Sequence, residues 1–519
     1  YSFYTVPRVS LHTTTCKAPL KTYSIYFTNL SFCFFMSIFD YCCNLSSLTL
    51  GGDDKSKGGE LQRASVYEEA VSMLTGALVI YLFADLRDMA RKGEILVSLR
   101  DLEPPLTAQQ VIKIIGGNEQ ALSKRAIDHE NLKKRLEALS SMKDRGKLLN
   151  FFHGTSMESQ TILTHFVDTK AEDEIVHAIV VNDEQKRITV IFRGSVTKKD
   201  FMQDGKIMQH KIKNPVASLI EDEEYKTEDV KIHTGFWEYL LKKEENSGAN
   251  RLEQILSEVK KILQERNGYS LYCCGHSLGG ALCTLFGFFA SANDEIQSLS
   301  NDGPVVVYSI ASPYVGNWKF KYAFEHLERT KRLQHLRIAN LEDMVTMLPF
   351  FTPTLSALSP ALSMVKGGAN LYLHCGIRLQ MKAGDGANNS KASHTISYQK
   401  NHQANNEEYA EEVKDALNQG KSLASAFYLM MRRDFDKITH YHSCEEYEKR
   451  LDDCKEILMS IKLDDLYQDT SIIGNLMSED YEPKKEGTGG YARAKRAVDY
   501  FSNSWSQRKN QSLMPPTLY

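Results

Sequence analysis

The sequence lacks an excess of charge of either sign. It has 63 Lys and Arg residues and 66 Asp and Glu residues, which gives a formal net charge of -3. Nucleic-acid binding needs a basic surface, so the composition gives no reason to expect a nucleic-acid partner. The basic stretch at 133–147 alternates with acidic and apolar residues, which is typical of a solvated helix face.

The sequence also lacks the residue spacings that bind metals. No Cys and His residues have structural zinc spacing, and no acidic run has the pattern of a calcium loop. Ten cysteines are present, but nothing in their positions demands a disulfide framework, and burial as thiols is the simpler interpretation of the adjacent Cys273 and Cys274. We therefore predict no metal and no other cofactor. There is no internal repeat.

Long apolar runs are few. Residues 22–39 carry no charge but are diluted by Ser, Thr and Asn, and the run at 70–84 has only fifteen residues. A membrane span needs roughly 20 apolar residues, so the run at 70–84 is better suited to a helix packed on a domain or at an interface. The run at 22–39 has features of a secretory or anchor segment. Cytoplasmic location with peripheral membrane or lipid-droplet association is favoured, and a secreted or anchored protein is the alternative.

The most informative pattern is Gly275-His276-Ser277-Leu278-Gly279. The apolar run before it predicts a buried strand, and the run of small residues after it predicts a helix packed on a sheet. Strand, sharp turn and helix is the setting of a hydrolase nucleophile, with glycines on both sides because backbones approach closely there. A glycine-rich turn without catalysis is the alternative, and it requires that no acid and histidine follow.

An acid follows at the end of a later strand. Two more buried strands are predicted at 304–310 and 333–339, and Asp343 comes shortly after the second. Open α/β sheets place their chemistry at the carboxyl ends of strands. Asp343 would hold the tautomer of a histidine and stabilise its charged form. Its neighbour Glu342 is the competing acid.

These residues together resemble the class 3 lipases, the family of fungal triacylglycerol lipases, plant acylglycerol and galactolipid lipases and animal diacylglycerol lipases. The resemblance covers residues 148–461. It rests on five ordered motifs, located at 188–195, 232–236, 275–279, 312–317 and 340–349. It implies an α/β-hydrolase fold with a mostly parallel central sheet flanked by helices, here with an N-terminal helical extension.

The resemblance also implies an oxyanion hole. Its donors would be Ser195, which follows an Arg-Gly pair, and the backbone N–H of Leu278 after the nucleophile. Such donors stabilise the charge that develops on an ester oxygen during attack. Arg193 is interpreted as a structural residue of this turn, with a clamp for a substrate anion as the alternative.

Several histidines follow the acid, and spacing must decide among them. The family pattern of His followed five residues later by Tyr fits His442, which also precedes a helix start at Ser443 and Glu446. His442 is therefore the predicted base, with His440 as the alternative. The others are interpreted as structural or surface residues: His374, His394 and His402. His276 is expected to pack beside the nucleophile, and His233 to order the loop before its helix.

The predicted organisation has four parts. They are an apolar N-terminal segment and linker at 1–60, a helical extension at 61–147, a lipase-like α/β-hydrolase domain at 148–465 and a polar C-terminal tail at 466–519. A mobile insertion is expected at 384–406, and a lid of mixed apolar and charged residues at 196–231.

The resemblance implies a serine hydrolase that cleaves carboxylic esters of lipids through an acyl-enzyme. The expected triad is Ser277, Asp343 and His442, and the expected partner is lipid at a membrane or droplet surface. The head group and the oligomeric state are left open. Two alternatives remain: a catalytically silent lipase-like lipid-binding protein, and an acyltransferase or peptidase that uses the same triad.

Overall fold

The structure, a computed structural model, describes residues 63–107, 110–111, 114, 117–118, 161–168, 175–194, 209–220, 227–243, 248–300, 303–348, 372–384, 391–398, 440–474 and 476–478. Their strands are β1 Leu106–Thr107, β2 Thr161–Val167, β3 His177–Asn182, β4 Arg187–Phe192, β5 Gln209–Lys213, β6 Asp229–His233, β7 Ser270–His276, β8 Val305–Ile310, β9 Gly316–Asn317, β10 Leu333–Asn340, β11 Tyr372–Leu373, β12 Ile377–Lys382 and β13 Ser393–Tyr398. Their α-helices are α1 Val66–Lys92, α2 Thr234–Leu240, α3 Arg251–Glu265, α4 Leu278–Ser291, α5 Asp294–Leu299, α6 Trp318–Arg329, α7 Cys444–Asp453, α8 Lys455–Leu458, α9 Leu463–Leu466 and α10 Thr470–Ile473. The predicted segment at 1–60 lies outside the described residues.

A nine-stranded sheet organises the fold, with the order β1-β2-β3-β4-β7-β8-β10-β12-β13. The pairs from β4 through β7, β8 and β10 to β12 are parallel, and the outer pairs are antiparallel. A smaller antiparallel sheet has the order β11-β9-β6-β5. This is the helix-flanked sheet with a parallel centre that the sequence predicts, and the α/β-hydrolase fold class is confirmed.

The apolar composition of the central strands explains their position inside the sheet. All six residues of β4 and all six of β8 are buried, as expected for strands covered by helices on both faces. The helix before the nucleophile, α3, buries the residues that its apolar spacing selects, among them Leu252, Ile255 and Val259. It begins at Asn250, whose side chain accepts a hydrogen bond from the Glu253 N–H.

Helices cover both faces of the large sheet. One face packs against α1 and the C-terminal helices around Leu74, Phe83 and Leu451. The other packs against α3, α4 and α6 around Ile255, Phe286 and Phe320. The result is a three-layer arrangement with Ser277 at the carboxyl end of β7.

Helix α1 is long and apolar enough to cross a membrane by length and composition, but 72% of its most apolar window is buried inside the protein. Glu69 in its first turn accepts hydrogen bonds from Tyr272 of β7 at 2.8 Å and Tyr308 of β8 at 2.5 Å. The prediction that the run at 70–84 packs on the domain is therefore confirmed. The helix assigned to an extension at 61–147 shares its core with the lipase-like strands.

The polar C-terminal tail begins later than the predicted residue 466. Leu466, Tyr467, Ile473 and Leu476 are all buried in the core on the α1 face. The Tyr467 hydroxyl also donates a hydrogen bond to Glu328 at 2.5 Å. Apolar and aromatic side chains pack this segment against the domain, so the prediction was wrong for 466–474 and for 476. Residues 479–519 lie outside the described part of the chain.

The segment predicted as a lid is partly core. Strand β5 pairs with β6, and Ile212, Val216 and Ile220 are buried in the cluster that packs under the sheet. The apolar residues at 209–220 therefore pack this segment against the core. The lid prediction was wrong for that part. Residues 196–208 lie outside the described residues, as do 385–390 and 399–406 of the predicted insertion.

Candidate active site

The nucleophile lies at a sharp turn between β7 and α4. Ser277 has φ 60° and ψ -128°, a conformation that non-glycine residues avoid. Backbone strain of this kind costs on the order of 1–3 kcal/mol, and it persists where the surrounding structure enforces it. The turn projects the hydroxyl away from the sheet at the positive end of α4.

Close backbone contacts explain the glycines around the serine. A Cβ at Gly275 would lie 2.2 Å from the Gly279 carbonyl oxygen, and a Cβ at Gly279 would lie 2.2 Å from the Phe192 carbonyl oxygen. Real Cβ atoms do not approach backbone this closely. Both positions therefore require glycine, as the sequence pattern predicts.

The structure brings Ser277, His442 and Asp343 together. His442 Nε2 lies 2.9 Å from Ser277 Oγ, and His442 Nδ1 lies 2.9 Å from Asp343 Oδ2. An ionised carboxylate only accepts hydrogen bonds, so Nδ1 carries the proton and Nε2 accepts from the serine hydroxyl. This is the arrangement that a serine nucleophile and its general base require.

His442 stands just before α7, whose cap fixes its backbone. The Ser443 hydroxyl accepts a hydrogen bond from the Glu446 N–H at 3.2 Å. His440 was the alternative base, but its side chain is 60% exposed and its Nε2 lies 3.5 Å from Glu446. Of the two histidines, the structure brings only His442 to Ser277.

His276 holds His442 from the other side. Its Nε2–H donates to the His442 backbone oxygen at 2.9 Å, and the two ring centroids are 4.7 Å apart. Burial lowers the pKa of His276 well below its ordinary value, so the ring is neutral and does not compete as a base. The expectation that His276 packs beside the nucleophile is confirmed.

Asp343 is fully buried and held by three donors. Val345 N–H donates to its Oδ1 at 2.9 Å, and the Tyr447 hydroxyl and His442 Nδ1–H donate to its Oδ2. Burial raises the pKa of Tyr447 well above its usual value, which keeps the phenol protonated as a donor. The competing acid Glu342 forms an ion pair with Arg450 instead.

Tyr447 contacts the acid of the site, a role that the sequence analysis did not assign to it. The five-residue spacing from His442 served only to select the histidine. The spacing has a physical cause. The first turn of α7 places the Tyr447 hydroxyl within hydrogen-bond distance of Asp343, which in turn contacts His442. The Tyr447 oxygen also accepts the Asn340 N–H at 3.0 Å, which ties α7 to the end of β10.

Of the two expected oxyanion donors, the structure describes one. The Leu278 N–H is in the first turn of α4, where helix N–H groups have no intrahelical acceptor. Ser195 lies outside the described residues. Gly194, directly before it, is close to the nucleophile, since a Cβ there would lie 3.1 Å from Ser277 Cβ. The chain thus enters the expected oxyanion turn beside the serine.

Other predicted positions have structural contacts. His374 is buried, donates from Nε2 to the Thr346 oxygen at 2.9 Å, and stacks on Tyr314 at 3.7 Å. His233 Nδ1 accepts the Gly235 N–H at the start of α2, as expected of a residue that orders this loop. His394 is on the edge strand β13, and His402 lies outside the described residues.

Within the part of the chain that the structure describes, no group of three or more His, Cys, Asp or Glu side chains is placed to hold a metal ion. The described cysteines are buried thiols: Cys273, Cys274, Cys283, Cys375, Cys444 and Cys454. Burial raises the pKa of the Cys274 thiol to about 12, which disfavours its thiolate.

Part of the chain is similar to known proteins. Residues 189–352, which hold the nucleophile and the acid, match the family described as "Lipase (class 3)". Over these residues the chain is similar to the class 3 lipases.

Phospholipase A1-II 3 of Oryza sativa subsp. japonica is 38% identical over 177 residues, covering 30% of this chain and 41% of that protein. "Galactolipase DONGLE, chloroplastic" of Arabidopsis thaliana is 28% identical over 205 residues, covering 38% of this chain and 41% of that protein. The chain thus spans about two fifths of the length of these curated relatives. The mono- and diacylglycerol lipase from Aspergillus oryzae aligns with 18% identity and a TM-score of 0.32, covering 49% of this chain and 74% of that structure.

Proposed function

We propose that this protein is a serine hydrolase that cleaves the carboxylic ester bonds of lipids through an acyl-enzyme. The observation that carries the proposal is the hydrogen-bonded chain from Ser277 Oγ through His442 to Asp343 at a strained nucleophile turn. A lipid-binding protein without catalysis would not need the strain at Ser277 or the buried acid. The proposed site residues are Ser277, His442 and Asp343, with Leu278 and Ser195 as oxyanion donors.

The reaction begins when Ser277 Oγ attacks the ester carbonyl carbon and His442 Nε2 takes the hydroxyl proton. The negative charge moves to the carbonyl oxygen, where the Leu278 N–H stabilises it. The buried Asp343 carboxylate stabilises the imidazolium. The carbonyl then reforms, the ester C–O bond breaks, and His442 gives its proton to the departing alcohol. Ser277 keeps the acyl group.

Water completes the cycle. His442 takes a proton from a water molecule as its oxygen attacks the acyl carbon, and the same donors stabilise the second tetrahedral intermediate. Collapse of that intermediate breaks the bond between the acyl carbon and Ser277 Oγ, His442 returns its proton to Oγ, and the fatty acid is released. An acyltransferase would share the first half and replace water by another alcohol.

The substrate class proposed is an acylglycerol or a related membrane-lipid ester, reached at a membrane or droplet surface from the cytoplasmic side. The names of the curated relatives, a phospholipase A1 and a galactolipase, support a glycerolipid. They leave the head group to experiment. The buried position of α1 removes the run at 70–84 as a docking element and leaves the segment before residue 60 for that role.

The test is a lipid-ester panel assayed with wild-type protein and Ser277→Ala. The panel contains tri-, di- and monoacylglycerol, phosphatidylcholine and a galactolipid, and products are identified by mass spectrometry. Loss of a triad nucleophile lowers the rate by about 10⁴ to 10⁶, so the variant should be inactive on every substrate that the wild type cleaves. Near-wild-type turnover by Ser277→Ala would refute the proposal. Transfer of the acyl group to an alcohol in place of water would favour the acyltransferase.

A further inference from the structure

Helix α1 brings a tyrosine to the edge of the sheet where the site lies. Near its start, Glu69 contacts Tyr272 and Tyr308 inside the sheet. Tyr81 comes twelve residues later, which is about 18 Å along a helix that rises 1.5 Å per residue. It meets Gly194, just beyond the end of β4. The helix therefore runs along one face of the sheet toward its carboxyl edge.

Tyr81 contacts Gly194, which follows β4. The Gly194 N–H donates a hydrogen bond to the Tyr81 hydroxyl oxygen at 3.0 Å. A Cβ at Gly194 would lie 2.4 Å from this oxygen and 3.1 Å from Ser277 Cβ. The Tyr81 oxygen and Ser277 Cβ are therefore separated by at most the sum of these distances, 5.5 Å. The phenol lies beside the nucleophile.

The proton of this hydroxyl is available. A phenol oxygen can accept the Gly194 N–H and donate its own hydrogen at the same time. Within the described residues, the structure gives no acceptor for the Tyr81 proton. Burial raises the pKa of Tyr81 above its usual value, so the group stays protonated where a hydrolase works. The Tyr81 hydroxyl would form its strongest hydrogen bond with an acceptor that carries a negative charge.

We propose that Tyr81 is a further element of the oxyanion site, whose hydroxyl oxygen accepts the Gly194 N–H and whose hydroxyl hydrogen is donated to the acyl oxygen in the tetrahedral intermediate. This inference rests on the proposed function, because the acyl oxygen becomes negative only when Ser277 attacks. Tyr81 thus supplements Leu278 and Ser195.

The test compares wild type with Tyr81→Phe on the soluble ester p-nitrophenyl butyrate. Removal of one oxyanion donor lowers kcat by about 10² to 10³ in other hydrolases. We expect a loss of about 10²-fold in kcat for Tyr81→Phe, with KM within about twofold of wild type, because the contact forms only in the transition state. A trifluoromethyl ketone, whose adduct with Ser277 carries an oxyanion, should bind more weakly by a similar factor.

Tyr67→Phe is the matched control, because it removes a phenol hydroxyl from the same helix. Tyr67 donates to Asp452 at 2.6 Å in an exposed position away from the nucleophile, so its variant should keep wild-type kcat. An equal loss in both variants would overturn the inference, as would a change in KM alone or unaltered binding of the ketone. If Tyr81→Phe is not recovered folded, 3,5-difluorotyrosine at position 81 keeps the ring and acidifies the hydroxyl. In a plot of kcat against pH, the fall in kcat at alkaline pH should then occur at lower pH than in the wild type. An unchanged pH profile would overturn the inference.

Failure of the proposed function has a different signature. Wild-type protein would then neither hydrolyse the ester nor bind the ketone, and the role of Tyr81 would fall with it. Activity in the wild type with an unaffected Tyr81→Phe refutes the inference alone.

Discussion

The phenol of Tyr447 supports the acid of the site, and its removal makes a specific prediction. Tyr447→Phe keeps the ring in the core but deletes two hydrogen bonds: the donation to Asp343 at 2.8 Å and the acceptance of the Asn340 N–H at 3.0 Å. Asp343 keeps its contacts with Val345 and His442. The variant therefore weakens the support of the acid without removing it.

The magnitude follows from burial. A hydrogen bond to a charged group contributes about 1.5–3 kcal/mol, and an orphaned buried donor costs about 1–3 kcal/mol. Removing the buried phenol oxygen offsets part of both, so we expect the free energy of unfolding to fall by about 2–4 kcal/mol. The kcat should fall as well, while staying above that of Asp343→Asn, for which a loss of about 10⁴ is expected from the wrong histidine tautomer.

The assay is urea unfolding of wild type and Tyr447→Phe, followed by fluorescence, with kcat measured on a soluble ester. Tyr67→Phe again serves as control, because its exposed hydrogen bond to Asp452 should change the free energy of unfolding by about 0.5 kcal/mol or less. Equal and small changes in the two variants would refute the claim that Tyr447 holds the acid.

Three further predictions concern the base, a buried carboxyl and the N-terminal segment. His442→Ala should lose activity to the same extent as Ser277→Ala while the exposed His440→Ala keeps most of it, and collapse at His440 with tolerance at His442 would show that the wrong histidine was chosen. Burial raises the pKa of Glu328 from 4.5 to about 8, so its contribution to stability is complete below pH 4.5 and is lost as the pH rises to about 8. Glu328→Gln should therefore melt near the wild-type temperature at pH 4.5 and above it at pH 8, and parallel melting curves at both pH values would contradict this. Protein beginning at residue 59 should cleave a dispersed short-chain ester normally but lose activity on bilayers or droplets, and full activity on both would remove the docking role of the segment before it.

The sequence was sufficient for the nucleophile turn because its signals are local. Burial of an apolar strand, close approach at Gly275 and Gly279, and a following helix of small residues are all encoded within a few positions of Ser277. The predicted strands at 304–310 and 333–339 correspond to β8 Val305–Ile310 and β10 Leu333–Asn340 for the same reason.

Contacts between distant parts of the chain were beyond local patterns. The apolar run of α1 predicts burial, but nothing in its neighbourhood shows that Tyr81 meets Gly194, 113 positions away. In the same way, the tail was predicted to begin at residue 466, while Tyr467 packs into the core and reaches Glu328, 139 positions away. The lid prediction failed at 209–220 because apolar residues between charged ones fit a lid and a small packed sheet equally well.

The central claim is that Ser277 is an activated nucleophile, and labelling tests it most directly. Wild-type protein is treated with a fluorophosphonate probe, digested, and searched by mass spectrometry for the modified peptide. The account predicts one adduct, on Ser277, and labelling that is abolished by His442→Ala but retained by His440→Ala. A folded wild-type protein that does not react, or that carries the adduct on another serine, would contradict it.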